Sequence, residues 1–461
     1  RFGFKSRGLG DVYKRQVPMP TKQTAALLDK MLSFYGRIAA AGQTDERYRK
    51  RLAEAHHRIG SIRSRLGQVE FAAASYGRSI ELYRQLIATD PSPTVVARLA
   101  AVHNELGVCL QHVRRQRTGQ SKDLQERQRS NGFAGFQAAR LLLEPIATAN
   151  SPAEVRYELA YTYYLLGDQP RGDMSQLRGG SDREPRLPDS SRVDAGNQQD
   201  GSQFERNSEH AQSGGRNSGQ GEVLEKSNDM LRQLVEEYTE SPDYRRLLAM
   251  CYMETSKAPS ISASPRGRQL RLDAIELLTA LVEKFPENPD YRFALSSAYA
   301  SGNVASPKLD HDAVAAYINR LETAESLISD LRSEHPNVPQ YLFAHLKFFR
   351  QLASFHRRLD GSGAELPVYR QATQVCRSAR PESITNMSFE SVIEIYDRTA
   401  DLLLASELGD QQESLLEALS VLEAGIQAFD QLKIQTGESN HDFRRAKFLA
   451  RLADVRERLG H

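Results

Sequence analysis

The sequence contains no tryptophan and only three cysteines in 461 residues. Three thiols are too few for a disulfide framework. No apolar run approaches the roughly 18 residues that a membrane-spanning helix needs. The formal charge is only +2, so there is no global electrostatic case for nucleic acid. Catalytic signatures are missing as well. There is no His-Arg-Asp or Asp-Phe-Gly triplet, no Gly-x-Ser-x-Gly elbow and no Walker loop. Runs rich in Val, Ile and Thr bounded by turn residues, the mark of strands, are also absent.

Residues 1–16 stand apart. Asp11-Val12-Tyr13-Lys14-Arg15-Gln16 resembles the translation of a transposon-end adapter used in preparing sequencing libraries. The segment is expected to be non-native. It carries a charge of +4, which leaves −2 on the remainder. Gly8-Leu9-Gly10 lacks the third glycine of a kinase phosphate loop, and Pro18 and Pro20 interrupt the strand such a loop needs.

From Thr24 onward the apolar spacing is helical, as in Tyr76, Ile80, Tyr83 and Ile87. The chain also repeats itself. Leu234-Val-Glu-Glu-Tyr-Thr-Glu-Ser-Pro-Asp-Tyr-Arg245 matches Leu281-Val-Glu-Lys-Phe-Pro-Glu-Asn-Pro-Asp-Tyr-Arg292 at an offset of 47 residues without a gap. Weaker copies occur around Pro339-Gln340-Tyr341, Ser92-Pro93 and Ser151-Pro152. Proline at these places ends one helix and opens the next, where its missing N–H costs nothing. Within the copies a Leu or Ile precedes a small residue, as in Ile59-Gly60, Leu106-Gly107, Leu159-Ala160 and Leu248-Ala249. Leu-Gly recurs at Leu66-Gly67, Leu166-Gly167, Leu408-Gly409 and Leu459-Gly460, where glycine suits a left-handed helix C-cap.

This pattern resembles the tetratricopeptide repeat, in which an A helix bearing Leu-Gly/Ala pairs with a B helix bearing Ala and an aromatic residue. Ile59-Gly60, Ala72, Tyr76 and Ser79 follow it, as do Leu159-Ala160 and Tyr163. The resemblance implies an all-α, right-handed α-solenoid of about six to eight hairpins. The spacing of 47 to 50 residues exceeds the family's usual period and predicts elongated B helices. More narrowly, Leu32-Ser-Phe34-Tyr35 and Arg58-Ile59-Gly60-Ser-Ile62-Arg63-Ser-Arg65-Leu66-Gly67 resemble the region that follows the catalytic domain in bacterial transmembrane serine/threonine kinases. That resemblance implies a regulatory repeat region with catalysis encoded upstream. It leaves the compartment open between cytoplasmic and, for a tethered chain, extracytoplasmic.

Residues 169–221 are dominated by Gly, Ser, Asn, Gln, Asp and Arg, with Phe204 as their sole aromatic. Such a composition cannot offset an ordering entropy of about 1–2 kcal/mol per residue, so a disordered insertion is expected there. The predicted organisation is therefore a non-native segment at 1–16, repeats over 17–168, the insertion over 169–221 and repeats over 222–461.

No metal, cofactor or catalytic site is expected. Adjacent His56 and His57 point about 100° apart on a helix, which suits one packed and one surface residue. His345 and His356 would lie about 16 Å apart along one helix. Cys109 and Cys251 follow their Leu-Gly/Ala pairs at the same offset and read as small packing residues, as does Cys376. The resemblance implies instead a concave surface lined by A helices. It selects Tyr157, Tyr161 and Tyr164, then Arg246, Met250 and Met253, then Phe293, then Phe343, Lys347 and Arg350 as a partner-binding groove, with His57, Ser61, Asn104 and Val108 in the earlier repeats. Aromatic residues with arginine suit a hot spot, and methionine adapts to varied partners.

Overall fold

The computed structural model describes Lys30, Ser33, Phe34 and Arg37, and residues 46–65, 68–116, 122–168, 218–258, 261–262, 264–301, 311–384, 386–405, 411–436 and 441–460. The expected non-native segment lies outside them, as does the insertion up to residue 217.

The described residues form fifteen α-helices and no strand. They pair in chain order. Helices α1 (Glu46–Arg65) and α2 (Val69–Thr89) form the first hairpin, α3 (Pro93–Gln116) and α4 (Lys122–Leu143) the second. Next come α5 (Ala153–Gly167) with α6 (Ser218–Glu237) and α7 (Pro242–Ser256) with α8 (Pro265–Lys284). Then follow α9 (Pro289–Tyr299) with α10 (His311–Glu334), α11 (Pro339–Asp360) with α12 (Leu366–Arg377), and α13 (Asn386–Ala405) with α14 (Gln411–Thr436). Helix α15 (Asp442–Leu459) packs on α14. Odd-numbered helices are thus A helices and even-numbered ones B helices. Helix α6 begins at Ser218, so residues 218–221, expected in the insertion, belong to its first turn.

The helix starts follow from local chemistry. Proline opens α7, α8, α9 and α11 within the first turn. The Ser264 hydroxyl accepts from the Gly267 amide at 3.2 Å, and the Asn288 side chain accepts from the Asp290 amide at 3.0 Å. Each satisfies a donor that the helix itself leaves unpaired. B helices α6, α8 and α10 have 20, 20 and 24 residues against 15, 15 and 11 for their A partners. This asymmetry accounts for the long period. Helices α4 and α12, with 22 and 12 residues against 24 and 22 for their A partners, depart from it.

The small residue of each A helix lets a B-helix side chain approach. A Cβ at Gly60 would lie 2.7 Å from the Tyr76 ring, and one at Gly107 would lie 2.5 Å from Phe136. Gly460 has φ of +80° and ends α15 as a left-handed cap. Gly167 does not act in this way. It is the last residue of α5, and a Cβ there would lie 2.4 Å from Leu224 of α6, so close packing rather than a positive φ requires glycine. Gly67 and Gly409 lie outside the described residues.

The cores run on from hairpin to hairpin: one around Tyr76 and Tyr83, a second around Leu159 and Leu248, a third from Leu321 to Val455. Helix α3 is buried on nearly every side, from Val95 through Asn104. The reason is its neighbours. Besides α2, α4 and α5 it touches α13, five hairpins further along the chain. A helix covered all round must be apolar all round, and α3 is so through Val95, Val96, Ala97, Leu99, Ala100, Ala101 and Val102.

Candidate functional site

The A helices pack on one another in series, α3 on α5, α5 on α7, α7 on α9 and α11 on α13. Helix α3 also meets α13, from the far part of this series. On α5 the residues Tyr157, Tyr161 and Tyr164 fall at helical spacing and stack. Ring centroids lie 6.5 Å apart for Tyr157–Tyr161 and 6.2 Å for Tyr161–Tyr164, with interplanar angles of 7° and 16°. Tyr157 also meets Tyr244 of α7 at 5.3 Å.

Not all of these rings face open space. Tyr157, Tyr164 and Met253 are only 4%, 8% and 8% exposed and belong to the core that joins α5, α6 and α7. The expectation that they offer a binding surface is corrected: neighbouring hairpins sit closely enough to cover them. Burial raises the Tyr164 hydroxyl pKa well above the usual tyrosine range. Met253 Sδ accepts from Ser301 Oγ at 3.5 Å. Tyr161, Met250, Phe293 and Phe343 are half-buried and retain surface.

Arg246 donates from Nη1 to Met250 Sδ at 3.2 Å, one turn along α7. Phe293 of α9 packs on Tyr341 of α11 at 5.4 Å. Arg350 pairs with Glu394 of α13 at 3.0 Å. Lys347 is different. Solvent reaches it, yet it forms no ion pair or hydrogen bond with any described residue. Burial among surrounding protein lowers its pKa, followed by the charges of Lys257 and Arg350, with Glu254 opposing. Its neighbour Lys257 follows the last turn of α7 and pairs with Glu254. Sequence reasoning stopped short of Lys257, although Arg246, Met250, Met253 and Lys257 fall at successive helical steps on one face.

The earlier repeats contribute packing. His57 Nε2 lies 3.1 Å from Glu105 Oε2, which also accepts from the Tyr76 hydroxyl at 3.0 Å. Asn104 is fully buried and bonded to Thr162, whereas Ser61 and Val108 are half-buried. His56 and His57 are both half-buried, not one packed and one exposed. All three cysteines are free and buried, and burial raises each thiol pKa, that of Cys251 to about 12. Such thiols stay protonated and unreactive. Among the described residues no group of three or more His, Cys, Asp or Glu side chains is placed to hold a metal ion. None of the described helices is long and apolar enough to cross a membrane.

No protein-family model and no curated protein matches the chain. Solved structures to which it is similar are helical. A Rap protein complexed with competence and sporulation factor shares 11% identity over 95% of this chain and 99% of its own, with a TM-score of 0.36. The nuclear import adaptor Nro1 of S. pombe shares 11% over 85% of this chain and 100% of its own, TM-score 0.33. Yeast Tom70 shares 13% over 95% and 97%, TM-score 0.16. At this level of likeness neither a site nor a partner carries over.

Proposed function

We propose that the chain is a non-catalytic protein-interaction scaffold whose inner, A-helix face receives an extended or helical segment of a protein partner. The observation that carries this reading is Lys347, an accessible amine beside Lys257 and Arg350 that forms no ion pair among the described residues. A ligand carboxylate would supply the missing partner, while Tyr161, Met250, Phe293 and Phe343 offer half-buried apolar surface beside it. The ligand is therefore a segment carrying apolar side chains and an acidic group. Because α3 meets α13, it enters through an end of the superhelix or by separation of that contact.

A photo-crosslinking amino acid in place of Met250 tests this. Adducts with one defined segment are expected there, and none from the same substitution at Leu272, which is exposed on α8. Adducts from Leu272 alone would move binding to the outer face.

A second reading rests on the resemblance of residues 31–86 to the region downstream of bacterial serine/threonine kinase domains. It makes the scaffold a regulatory region. Coding sequence upstream of residue 17 tests it, since a kinase domain must precede.

A further inference from the structure

Helix α15 has two apolar faces, and among the described residues the solenoid covers one of them. On the covered face Phe448, Leu452 and Val455 are buried. Phe448 seats against Gly425 of α14, where a Cβ would collide with its ring, and meets Phe429 edge-on at 5.6 Å. Cations tie the helix down on the same side. Arg451 reaches Asp401 of α13 at 2.7 Å, and Arg445 and Arg456 reach Asp430 and Glu423 of α14, each at 2.9 Å. The opposite face carries Phe443, Ala446, Ala450 and Ala453, at alternating steps of three and four residues, with Leu449 at its edge. All five are exposed, and Phe443, at 85%, is the most exposed large apolar side chain among the described residues. A helix that is apolar on two sides is built to be covered on two sides.

This face is complementary to itself when one copy is reversed. Asp442 precedes Leu449 by seven residues and Arg456 follows it by seven, so the three share one edge of the face. A twofold axis near Leu449 sets each Asp442 against the Arg456 of the other copy and brings the two Leu449 side chains together. Arg456 is half-exposed and gives Nη2 to Glu423, which leaves donors for that carboxylate. The same reversal lays Phe443 over Ala453 and Ala446 beside Ala450, large on small. A parallel copy would press Phe443 on Phe443 and hold the alanines apart. Lys447 falls close to the axis, where Asp397 at 3.4 Å offsets its charge. We propose that the chain forms a twofold dimer through α15, packed antiparallel on its own copy by Phe443, Ala446, Leu449, Ala450 and Ala453. None of these residues belongs to the inner groove, so the two surfaces are independent.

Sedimentation equilibrium of the full chain over a concentration series tests the proposal. A contact made by one 18-residue helix is small, so a dissociable dimer is expected. Ala450→Glu and Phe443→Lys should each weaken dimerisation by roughly 10-fold or more with helicity unchanged, because both positions are exposed. Leu141→Lys, at an exposed position on α4, should leave it unaltered. Oxidative cross-linking reads the register. Leu449→Cys should link to its own copy. Phe443→Cys should link to Ala453→Cys when the two variants are mixed, and Ala453→Cys alone should stay unlinked. The native cysteines are buried and do not compete. A wild type that stays monomeric throughout the series, leaving the face to a different chain, would overturn the proposal. So would a dimer that survives both Ala450→Glu and Phe443→Lys, or one in which Ala453→Cys links to itself and Leu449→Cys does not.

Discussion

Asn104 on α3 donates its side-chain amide to Thr162 Oγ1 on α5 at 2.9 Å, and both residues are fully buried. Thr162 Oγ1 in turn donates to the Glu158 carbonyl at 2.7 Å, so its remaining lone pair is what Asn104 uses. A second junction repeats the device, with Asn228 of α6 donating to Thr255 of α7 at 3.0 Å and Thr255 to the Cys251 carbonyl. Buried polar pairs of this kind fix the register of one helix on another. Asn104→Ala should cost about 1–3 kcal/mol, because Thr162 then loses a buried partner. The double variant Asn104→Leu with Thr162→Val should recover much of that loss, read by a double-mutant cycle in urea.

The sign of one glycine substitution tests the hairpin packing. Gly→Ala within a helix usually gains up to about 1 kcal/mol. At Gly60 the new methyl would meet the Tyr76 ring, so Gly60→Ala should instead destabilise by about 1–3 kcal/mol. Adding Tyr76→Leu should soften the penalty, measured by the shift in urea midpoint.

Leu159 is buried in the core that joins α5, α6 and α7. Leu159→Ala should cost about 2–5 kcal/mol through the cavity it leaves. A loss within the error of the denaturant titration would mean that the faces of α5 are misassigned.

Stability should fall with acid over a definite window. Burial, with the charge of Arg84, lowers the His103 pKa to about 4. In the unfolded chain it titrates near 6.5. Between those values the native state holds fewer protons than the unfolded state, so stability rises with pH. The effect is complete above about 6.5 and is lost as pH falls toward 4, amounting to about 3 kcal/mol. His345 is lowered as well, by burial and Arg332 against the opposing bond to Glu325 at 2.7 Å, and adds to the same trend. His103→Asn should reduce the slope of stability against pH between 4 and 6.5 by close to one proton.

The fold was legible because its punctuation repeats. Proline at the A-helix starts, the Pro-Asp-Tyr-Arg runs 47 residues apart and the Leu-small pairs each mark a local event that sequence alone records. The glycines were harder to read. Whether Gly167 serves a left-handed turn or a close approach depends on Leu224, which lies beyond the insertion. The groove divided in the same way. Periodicity places Tyr157, Tyr161 and Tyr164 on one side of α5, but how far the next hairpin covers them is a matter of packing between helices. Tyr157 and Tyr164 are covered and Tyr161 keeps surface. The meeting of α3 with α13 follows from accumulated curvature over five hairpins, which no local pattern encodes.

The most direct test of the inner-face account is the affinity of peptides selected from a random library against the wild-type chain, measured by fluorescence anisotropy on four proteins. These are the wild type, Lys347→Glu, Tyr161→Ala with Met250→Ala, and Leu272→Ala as the outer-face control. The account predicts peptides that carry Asp or Glu beside apolar residues. Their affinity should fall by about 10-fold or more in the first two variants, at a melting temperature close to wild type, and stay unchanged in Leu272→Ala. Peptides without acidic residues, or ones that bind Lys347→Glu and the Tyr161/Met250 variant as tightly as wild type, would contradict it.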